Sequence, residues 1–292
     1  MKMPKTMLGT LLRQWRKNRN VSQLELAMRA NTSQRNLSFV ESGRTRPSRE
    51  MVLKLVHALD LPLRARNEVL LAAGFAPFYP DRTLTSAGME LPYRMLERML
   101  AHHEPYPALV LDAGWNIVMH NRTARRIIER CVPAVELAES SSPEGMNFLK
   151  LMCNPTGMRR RIRNWPQVGR GLLARLRREA LAYSGGPSEL LLRDLLTHDL
   201  LPPFSASQTP LEAVMPVELD LGDSCLRLFN TLTTFGTPQD VALQELRIEM
   251  SFPADDPSDT ILHDWETHAS APASNCTVRG LSKTSVLSRV AP

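Results

Sequence analysis

Apolar residues recur at helical spacing through the first 75 residues, and each apolar face is backed by a polar one. The first of these faces predicts a helix over residues 7–18 and consists of Leu8, Leu11, Leu12 and Trp15. Ser22 and Glu25 have the spacing of a capping box, which opens a second helix. The inward residues predicted for that helix are Leu24, Ala27 and Met28. Asn31 then interrupts the pattern where a left-handed residue would end the helix.

The third helix, which Thr32 or Ser33 would cap, has an apolar back and a polar face. At 100° per residue, Leu37 and Val40 lie together on one side. The opposite side carries Gln34, Arg35, Ser38 and Ser42. Glutamine and arginine can make paired hydrogen bonds to adenine and guanine in the major groove of DNA. A short helix that follows a tight joint and presents this face predicts a helix-turn-helix.

The alternative is that this polar face only meets water, as most polar helix faces do. The segment just beyond the helix, residues 43–47, adds Arg44 and Arg46 and favours DNA. Two further helices complete the unit, one capped by Ser48 and one opened by Pro62 that ends near Gly74. We therefore expect a five-helix DNA-binding domain over residues 1–75.

Residues 8–75 resemble the helix-turn-helix of the XRE family, which includes the lambdoid phage repressors. Besides the glutamine that starts the second helix, the positions that carry the resemblance are Ala27, Thr32, Ser33, Leu37, Glu41, Gly43 and Pro47. Asn31 stands where many members have glycine, but it meets the same backbone requirement.

The XRE resemblance implies a role for each polar side chain around the third helix. The base-reading residues would be Gln34, Arg35 and Ser38. The residues along DNA phosphates would be Gln23, Ser42, Arg44 and Arg46. A buried ion pair between Arg16 and Glu41 would orient the third helix without touching DNA.

The chain beyond residue 75 changes its pattern. Residues 76–87 begin with two closely spaced prolines and predict a linker. Helices are then predicted over residues 92–102, 121–130 and 188–196, with a longer one whose inward stripe is Trp165, Val168, Leu172 and Leu176. Period-two alternation predicts a hairpin over residues 108–119 and strands over residues 214–221, 225–234 and 246–252. This order predicts an α+β domain over residues 88–255, with helices on one face of an antiparallel sheet.

The hairpin and following helix are similar to the start of a PAS domain. With "NFLKLM", the tryptophan-led helix and "PVELDL" behind an XRE helix-turn-helix, the chain resembles the MmyB-like ligand-binding regulators. That resemblance implies a PAS-like domain that contributes to dimerisation and has a cavity for a small apolar ligand, with a fatty acid as the proposed class. The candidate pocket residues are Leu109, Leu111, Ile117, Met119, Phe148, Met152, Leu172, Leu228 and Leu232. Each of them is also ordinary core material.

Charge is divided unevenly between the two predicted domains. Residues 1–80 contain ten arginines and four lysines against five acidic residues, a net charge of +9, whereas the whole chain carries +6. A basic first domain suits a polyanionic partner such as double-stranded DNA. The sequence shows no secretory signal and no apolar run of membrane-spanning length, and the four cysteines are widely spaced. We therefore expect a reduced, cytoplasmic protein.

The rival functional class is an enzyme or a metal sensor. His102 and His103 are adjacent and diverge by 100° on a helix, so they cannot share an ion. The sequence contains no GxSxG, Walker, GxGxxG or HExxH motif. We expect no catalytic residue, no cofactor and no metal site. Residues 256–292 are rich in Asp and Pro and then in Ser, Thr and Ala, and we expect this tail to be disordered.

The sequence thus predicts a multidomain protein, with an all-α first domain and an α+β second domain. The function it predicts is a DNA-binding transcription regulator that senses a small apolar ligand and binds a two-fold operator as a homodimer. The alternative is a ligand-independent repressor or antitoxin-like protein whose second domain only mediates assembly.

Overall fold

The computed structural model describes residues 7–133, 145–183, 185–201 and 214–267. These residues form two compact units. The first contains residues 7–89 together with residues 235–245, and the second contains the rest.

The first unit has the five helices that the sequence predicts. They are α1 (Met7–Asn18), α2 (Gln23–Arg29), α3 (Gln34–Ser42), α4 (Arg49–Ala58) and α5 (Leu63–Ala72). Serine side chains cap three of them, because the hydroxyls of Ser22, Ser33 and Ser48 each accept a backbone N–H from the first turn. Asn31, which ends α2, has a φ of 50°, so it takes the predicted left-handed conformation.

The inward face of α2 differs from the prediction. Leu26 and Ala27 are buried, whereas Leu24 and Met28 are 54% and 73% exposed. A helix of seven residues is too short for its apolar pattern to fix its rotation. Half of the capping box forms: Ser22 accepts the amide of Glu25, but the Glu25 carboxylate pairs with Arg29.

The second unit combines helices with an antiparallel sheet. Its helices among the described residues are α6 (Glu90–His102), α7 (Arg122–Cys131), α8 (Phe148–Cys153), α9 (Trp165–Ala182), α10 (Pro187–Thr197) and α12 (Asp256–Thr267), with a 3-10 helix at Met158–Arg161. The strands are β1 (Ala108–Leu111), β2 (Ile117–His120), β3 (Val217–Asp220), β4 (Cys225–Thr233) and β5 (Arg247–Pro253). A short helix between β4 and β5, α11 (Val241–Glu245), belongs to the first unit.

The five strands form one sheet in the order β2-β1-β5-β4-β3, and all neighbouring pairs are antiparallel. This is the PAS-like α+β domain that the sequence predicts. Leu109 of β1 pairs with Glu249 of β5, and Asn230 of β4 pairs with Ser251 of β5. Because side chains alternate along a strand, these four residues share one face of the sheet.

The main core of the second unit joins that sheet face to helices α7 to α10 and α12. On the opposite face, Val110, Met119 and Ile248 are also buried. β1 and β5 are therefore covered on both sides, which differs from the predicted one-sided packing. On α9 the predicted Val168 and Leu176 are buried, but the other buried leucine is Leu173, and the predicted Trp165 and Leu172 pack at the edge of the core.

The prediction that the chain is disordered after residue 255 is wrong for residues 256–267, which form α12. Leu262 of this helix is fully buried in the core, and Arg126 and Arg130 lie over the ring of Trp265. The aspartates that suggested a solvated tail sit in its first turn, where acidic side chains favour a helix. Residues 268–292 lie outside the described residues.

The segment that the prolines predict to be a linker, residues 76–87, packs within the first unit. Asn67 of α5 accepts the backbone amides of Phe78 and Tyr79 and donates to the Tyr79 carbonyl. The Tyr79 hydroxyl accepts a hydrogen bond from Arg66 and contacts His57. Prolines end helical periodicity, but they do not prevent an irregular segment from packing.

The segment between β4 and β5 forms an arm, residues 235–245, that also packs within the first unit. Gln244 accepts the amide of Leu63 at the start of α5, at 2.6 Å. Glu245 accepts two hydrogen bonds from Arg64, at 2.7 and 2.8 Å. Val241 is buried against Leu63 and Tyr79. The first unit is therefore built from two separate stretches of the chain.

Candidate functional site

The third helix is fixed by its buried side. Leu37 and Val40 are buried in the core of the first unit, and Ser33 caps the amino end. Gly43 ends the helix with a φ of 77°, a conformation that glycine adopts without strain. Gln34 and Arg35 are exposed on the other side, and Ser38 is half-buried. The three residues predicted to read bases thus lie on the outward half of a helix whose other side is packed in the core.

Glu41 anchors the back of α3. Arg16 makes two hydrogen bonds to its carboxylate, at 2.7 and 3.0 Å, and Gln23 donates a third at 2.8 Å. Arg13 adds a bond to the carboxylate and another to the Glu41 carbonyl. Burial alone would raise the pKa of Glu41, but the hydrogen bonds from Arg16 and Gln23 outweigh burial and lower the pKa. The carboxylate therefore stays ionised and joins α1 and α2 to α3.

Arg13 is a member of this cluster that sequence reasoning missed. Its spacing of three residues from Arg16 puts both guanidinium groups on one face of α1, and this spacing could have identified it.

Phe39 orders two cationic side chains beside the outward face. The guanidinium carbons of Arg35 and Arg44 lie 5.4 and 5.7 Å from the centre of its ring. Arginine is attracted to the face of an aromatic ring, so Phe39 reduces the freedom of both side chains. Asn36, at the edge of this face, donates to the Thr32 hydroxyl at 3.0 Å.

The four predicted phosphate-contacting residues differ in their surroundings. Arg44 and Arg46 are exposed, and an Arg46 nitrogen lies 3.5 Å from the Ala73 carbonyl. Gln23 uses its amide nitrogen on Glu41, and the Ser42 hydroxyl donates to the Phe39 carbonyl. Of the four predicted phosphate-contacting residues, only Arg44 and Arg46 therefore present a positive charge at the surface.

The second unit contains a cavity between the sheet and its helices. The centres of water-sized spheres can occupy about 60 Å³ of this cavity, which is room for a few water molecules, and the cavity is partly open to solvent. The apolar walls are formed by Pro107, Leu109, Ala124, Ile127, Ile128, Phe148, Met152, Met158, Val217, Leu219 and Leu228. A mostly apolar concave site of this kind suits a small apolar molecule.

The structure places the nine candidate pocket residues in different environments. Those that line the cavity are Leu109, Phe148, Met152 and Leu228. Leu111 and Ile117 belong to the packed core, and Leu172 lies at its edge. Met119 is buried on the opposite face of the sheet, and Leu232 is 48% exposed. Alternation along a strand gives the face of a residue but not its distance from the cavity.

The cavity also has three polar lining residues, Asn230, Glu249 and Ser251. Glu249 is only 5% exposed. Its Oε1 accepts a hydrogen bond from the Asn230 amide at 3.0 Å and lies 3.6 Å from a nitrogen of Arg175. Its Oε2 is buried without a hydrogen-bond partner. Sequence reasoning missed these residues, although the alternation in β5 puts Glu249 and Ser251 on the face of Leu109.

Glu249 belongs to a larger charged cluster. Arg175 lies over the ring of buried Trp115 and bonds Glu179, which also accepts hydrogen bonds from Arg247 at 2.6 Å and from Trp115 at 2.9 Å. Burial is the strongest influence on Glu179 and would raise its pKa, but Arg247, Trp115 and Arg175 together outweigh burial and lower the pKa. Two arginines thus balance two carboxylates, Glu179 and Glu249.

Across the described ranges, no three His, Cys, Asp or Glu side chains are grouped so that they could hold a metal ion. None of the helices in the described part of the chain is both long enough and apolar enough to span a membrane.

Two family models match the chain. A helix-turn-helix model matches residues 12–65, which include α2 and α3. The model of the MmyB-like transcription regulator ligand binding domain matches residues 94–264, more than half of the chain. No protein with a curated description matches the chain.

Two solved structures are similar to parts of the chain. The clp gene regulator ClgR from C. glutamicum is 33% identical, over 24% of this chain and 86% of that chain, with a TM-score of 0.21. An RNA-binding light-oxygen-voltage receptor is 12% identical, over 90% of this chain and 62% of that chain, with a TM-score of 0.26.

The two domains define the class of the protein, a DNA-binding transcription regulator with a ligand-sensing domain. Within that class, the chain belongs to the family of MmyB-like transcription regulators.

Proposed function

We propose that the protein controls transcription by reading a specific operator with the outward face of α3. The observation that carries this proposal is the contrast between the two sides of α3. Leu37, Val40 and the Glu41 cluster hold its back, while Gln34 and Arg35 are exposed on its front. Because the helix is held, its amide and guanidinium groups can meet base edges in the major groove in one register.

The phosphates on either side of the groove would be bound by Arg44 and Arg46. Both are exposed, and they lie in the part of the chain with a net charge of +9. Such contacts carry no sequence information, but they supply much of the affinity.

A genome-wide map of bound sites in the native host tests this function. The wild-type protein is expected at discrete sites that share one sequence motif. The double variant Gln34→Ala, Arg35→Ala is expected to lose that motif while it retains weak general binding. A map without shared sequence, or an unchanged motif in the variant, would contradict base reading by α3.

The ligand proposed for the second domain is a small apolar molecule, and a fatty acid is the class that the family resemblance suggests. The apolar walls of the cavity support an apolar ligand. Protein purified from its native host should yield a stoichiometric apolar compound when it is extracted and analysed by mass spectrometry. If repeated extractions yield none and an experimental structure shows the cavity filled by side chains, the second domain acts only in assembly.

The proposed regulator is a homodimer that binds two half-sites about 34 Å apart, one turn of DNA. A ligand can then act only if it favours one arrangement of the two reading helices over another, because equal affinity for both shifts nothing. Light scattering of the protein–DNA complex tests the stoichiometry. Two chains per operator are expected, and a complex with one chain would rule out the symmetric arrangement.

A further inference from the structure

We propose that Glu249 selects the head group of the ligand, and that it favours a neutral hydrogen-bond donor, such as a hydroxyl or a primary amide, over an ionised carboxylate. This inference rests on the proposed binding of a small apolar ligand, and it replaces the fatty acid that the family resemblance suggests with an uncharged relative such as a fatty alcohol or amide. It concerns the polar wall of the cavity, where Asn230, Glu249 and Ser251 face apolar residues across the empty space.

The first observation is an unsatisfied acceptor. Glu249 lines the cavity and is only 5% exposed. Its Oε2 is buried and has no hydrogen-bond partner. An ionised carboxylate has only acceptor positions, so its natural partner is a donor. A buried polar atom without a partner is costly, and a ligand that supplies the missing hydrogen bond removes that cost.

The second observation is the charge around Glu249. Arg175 lies 3.6 Å from its Oε1 but is not among the residues that line the cavity. Arg175 also pairs with Glu179, which pairs with Arg247, so two cations already match two carboxylates. Nη2 of Arg175 is also buried without a hydrogen-bond partner, but Arg175 does not line the cavity and its charge is already matched within the cluster. A ligand carboxylate at Oε2 would therefore add a like charge in a buried place.

A neutral donor avoids this repulsion. A hydroxyl or amide head group donates to Oε2 and leaves the charge of the cluster unchanged, while its alkyl chain contacts Leu109, Leu228 and Phe148. Discrimination of this kind comes from a repulsive contact with the wrong ligand as well as from an attractive contact with the right one.

Calorimetric titration of the full-length protein at pH 8 with four probes that share a ten-carbon chain tests the inference. The probes are decan-1-ol, decanamide, decanoate and methyl decanoate, which differ only at the head group. Decan-1-ol and decanamide should bind about tenfold or more tightly than decanoate, which is charged, and methyl decanoate, which has no donor.

The Glu249→Gln variant should lose the preference against decanoate, because a glutamine amide can donate to a carboxylate. The matched control is Glu218→Gln. Glu218 lies on β3 between the lining residues Val217 and Leu219 and therefore points to the other face of the sheet. This control should retain the wild-type ranking. If Glu249→Gln does not fold, the ranking of the four probes on the wild-type protein still decides the question.

Two failures are distinguishable. If decanoate binds the wild-type protein as tightly as decan-1-ol, or if Glu249→Gln leaves the ranking unchanged, the head-group inference is wrong and ligand binding stands. If none of the four probes binds, the proposed binding of such ligands fails, and this inference fails with it.

Discussion

Glu41 is fully buried, and its carboxylate accepts hydrogen bonds from three side chains on α1 and α2. Breaking a buried pair by removing one partner is costly because the other charge stays behind. We predict that Glu41→Gln lowers the free energy of unfolding of the first unit by about 3 kcal/mol at pH 7. Hydrogen exchange of the Leu37 and Val40 amides measures this loss of unfolding free energy.

The same variant gives a pH test with a defined sign. Because the pKa of Glu41 is lowered in the folded protein, its stabilising effect is present above the ordinary carboxyl pKa and is lost as pH falls through the lowered value. The difference between wild type and Glu41→Gln should therefore shrink in acid. The control, Glu25→Gln, removes an exposed pair with Arg29 and should cost less than about 0.5 kcal/mol. A wild-type advantage that stayed constant down to pH 3 would show that Glu41 does not act through its charge.

Arg35 and Arg44 flank the same ring but are expected to act differently on DNA. We predict that Arg35→Ala costs about 1–3 kcal/mol on the preferred duplex and relaxes the preference at one base pair. Arg44→Ala should weaken all duplexes alike and reduce the slope of log affinity against log salt by about 1. Fluorescence anisotropy with the preferred and single-substituted duplexes at several salt concentrations separates the two effects. A changed base preference in Arg44→Ala would reverse the assigned roles.

The polar face of α3 could be predicted from the sequence because periodicity fixes which residues share a side of a helix. Glu249 could not be identified in the same way. Its spacing of two residues from Arg247 and from Ser251 shows that the three side chains share one face of β5. Whether its Oε2 has a hydrogen-bond partner, however, depends on the position of Arg175 on α9, which the sequence does not give. A buried polar group becomes informative only when all of its neighbours in space are known.

At the scale of elements, the five helices of the first unit follow from caps and apolar stripes that are local in sequence. The arm at residues 235–245 does not. It begins just after β4, yet its contacts are with Leu63, Arg64 and Tyr79, more than 150 residues earlier. A contact between residues so far apart in sequence leaves no local pattern. The domain predicted at residues 1–75 therefore omits the arm, which supplies part of its packing.

We predict that Val241→Ala lowers the stability of the first unit by about 2 kcal/mol, because it removes two buried methyl groups and leaves a small cavity beside Leu63 and Tyr79. Hydrogen exchange of the Val69 and Leu70 amides in α5 measures the loss. Val214→Ala is the control, since Val214 is 60% exposed. Equal exchange in the two variants would mean that the arm adds no stability to the helices.

At the scale of the whole molecule, the sequence predicts a basic all-α domain and a PAS-like domain, and the family models and the strand order confirm both. The sequence is a poorer guide to where each domain ends. The prolines of residues 76–87 and the aspartates after residue 255 indicate a linker and a tail by composition, whereas Tyr79 and Leu262 are buried. A few apolar residues are enough to fold such a segment onto a neighbouring core.

The proposed function requires that the outward face of α3 reads DNA in a symmetric complex. Selection of duplexes from a random-sequence pool by the full-length protein tests it most directly. We expect a two-fold symmetric sequence with half-sites about one helical turn apart. The double variant Gln34→Ala, Arg35→Ala should select a different sequence or none. The control Arg178→Ala, which changes an exposed arginine of α9, should select the wild-type sequence. Enrichment of no sequence by the wild-type protein, or of the same sequence by the double variant, would contradict the proposed function.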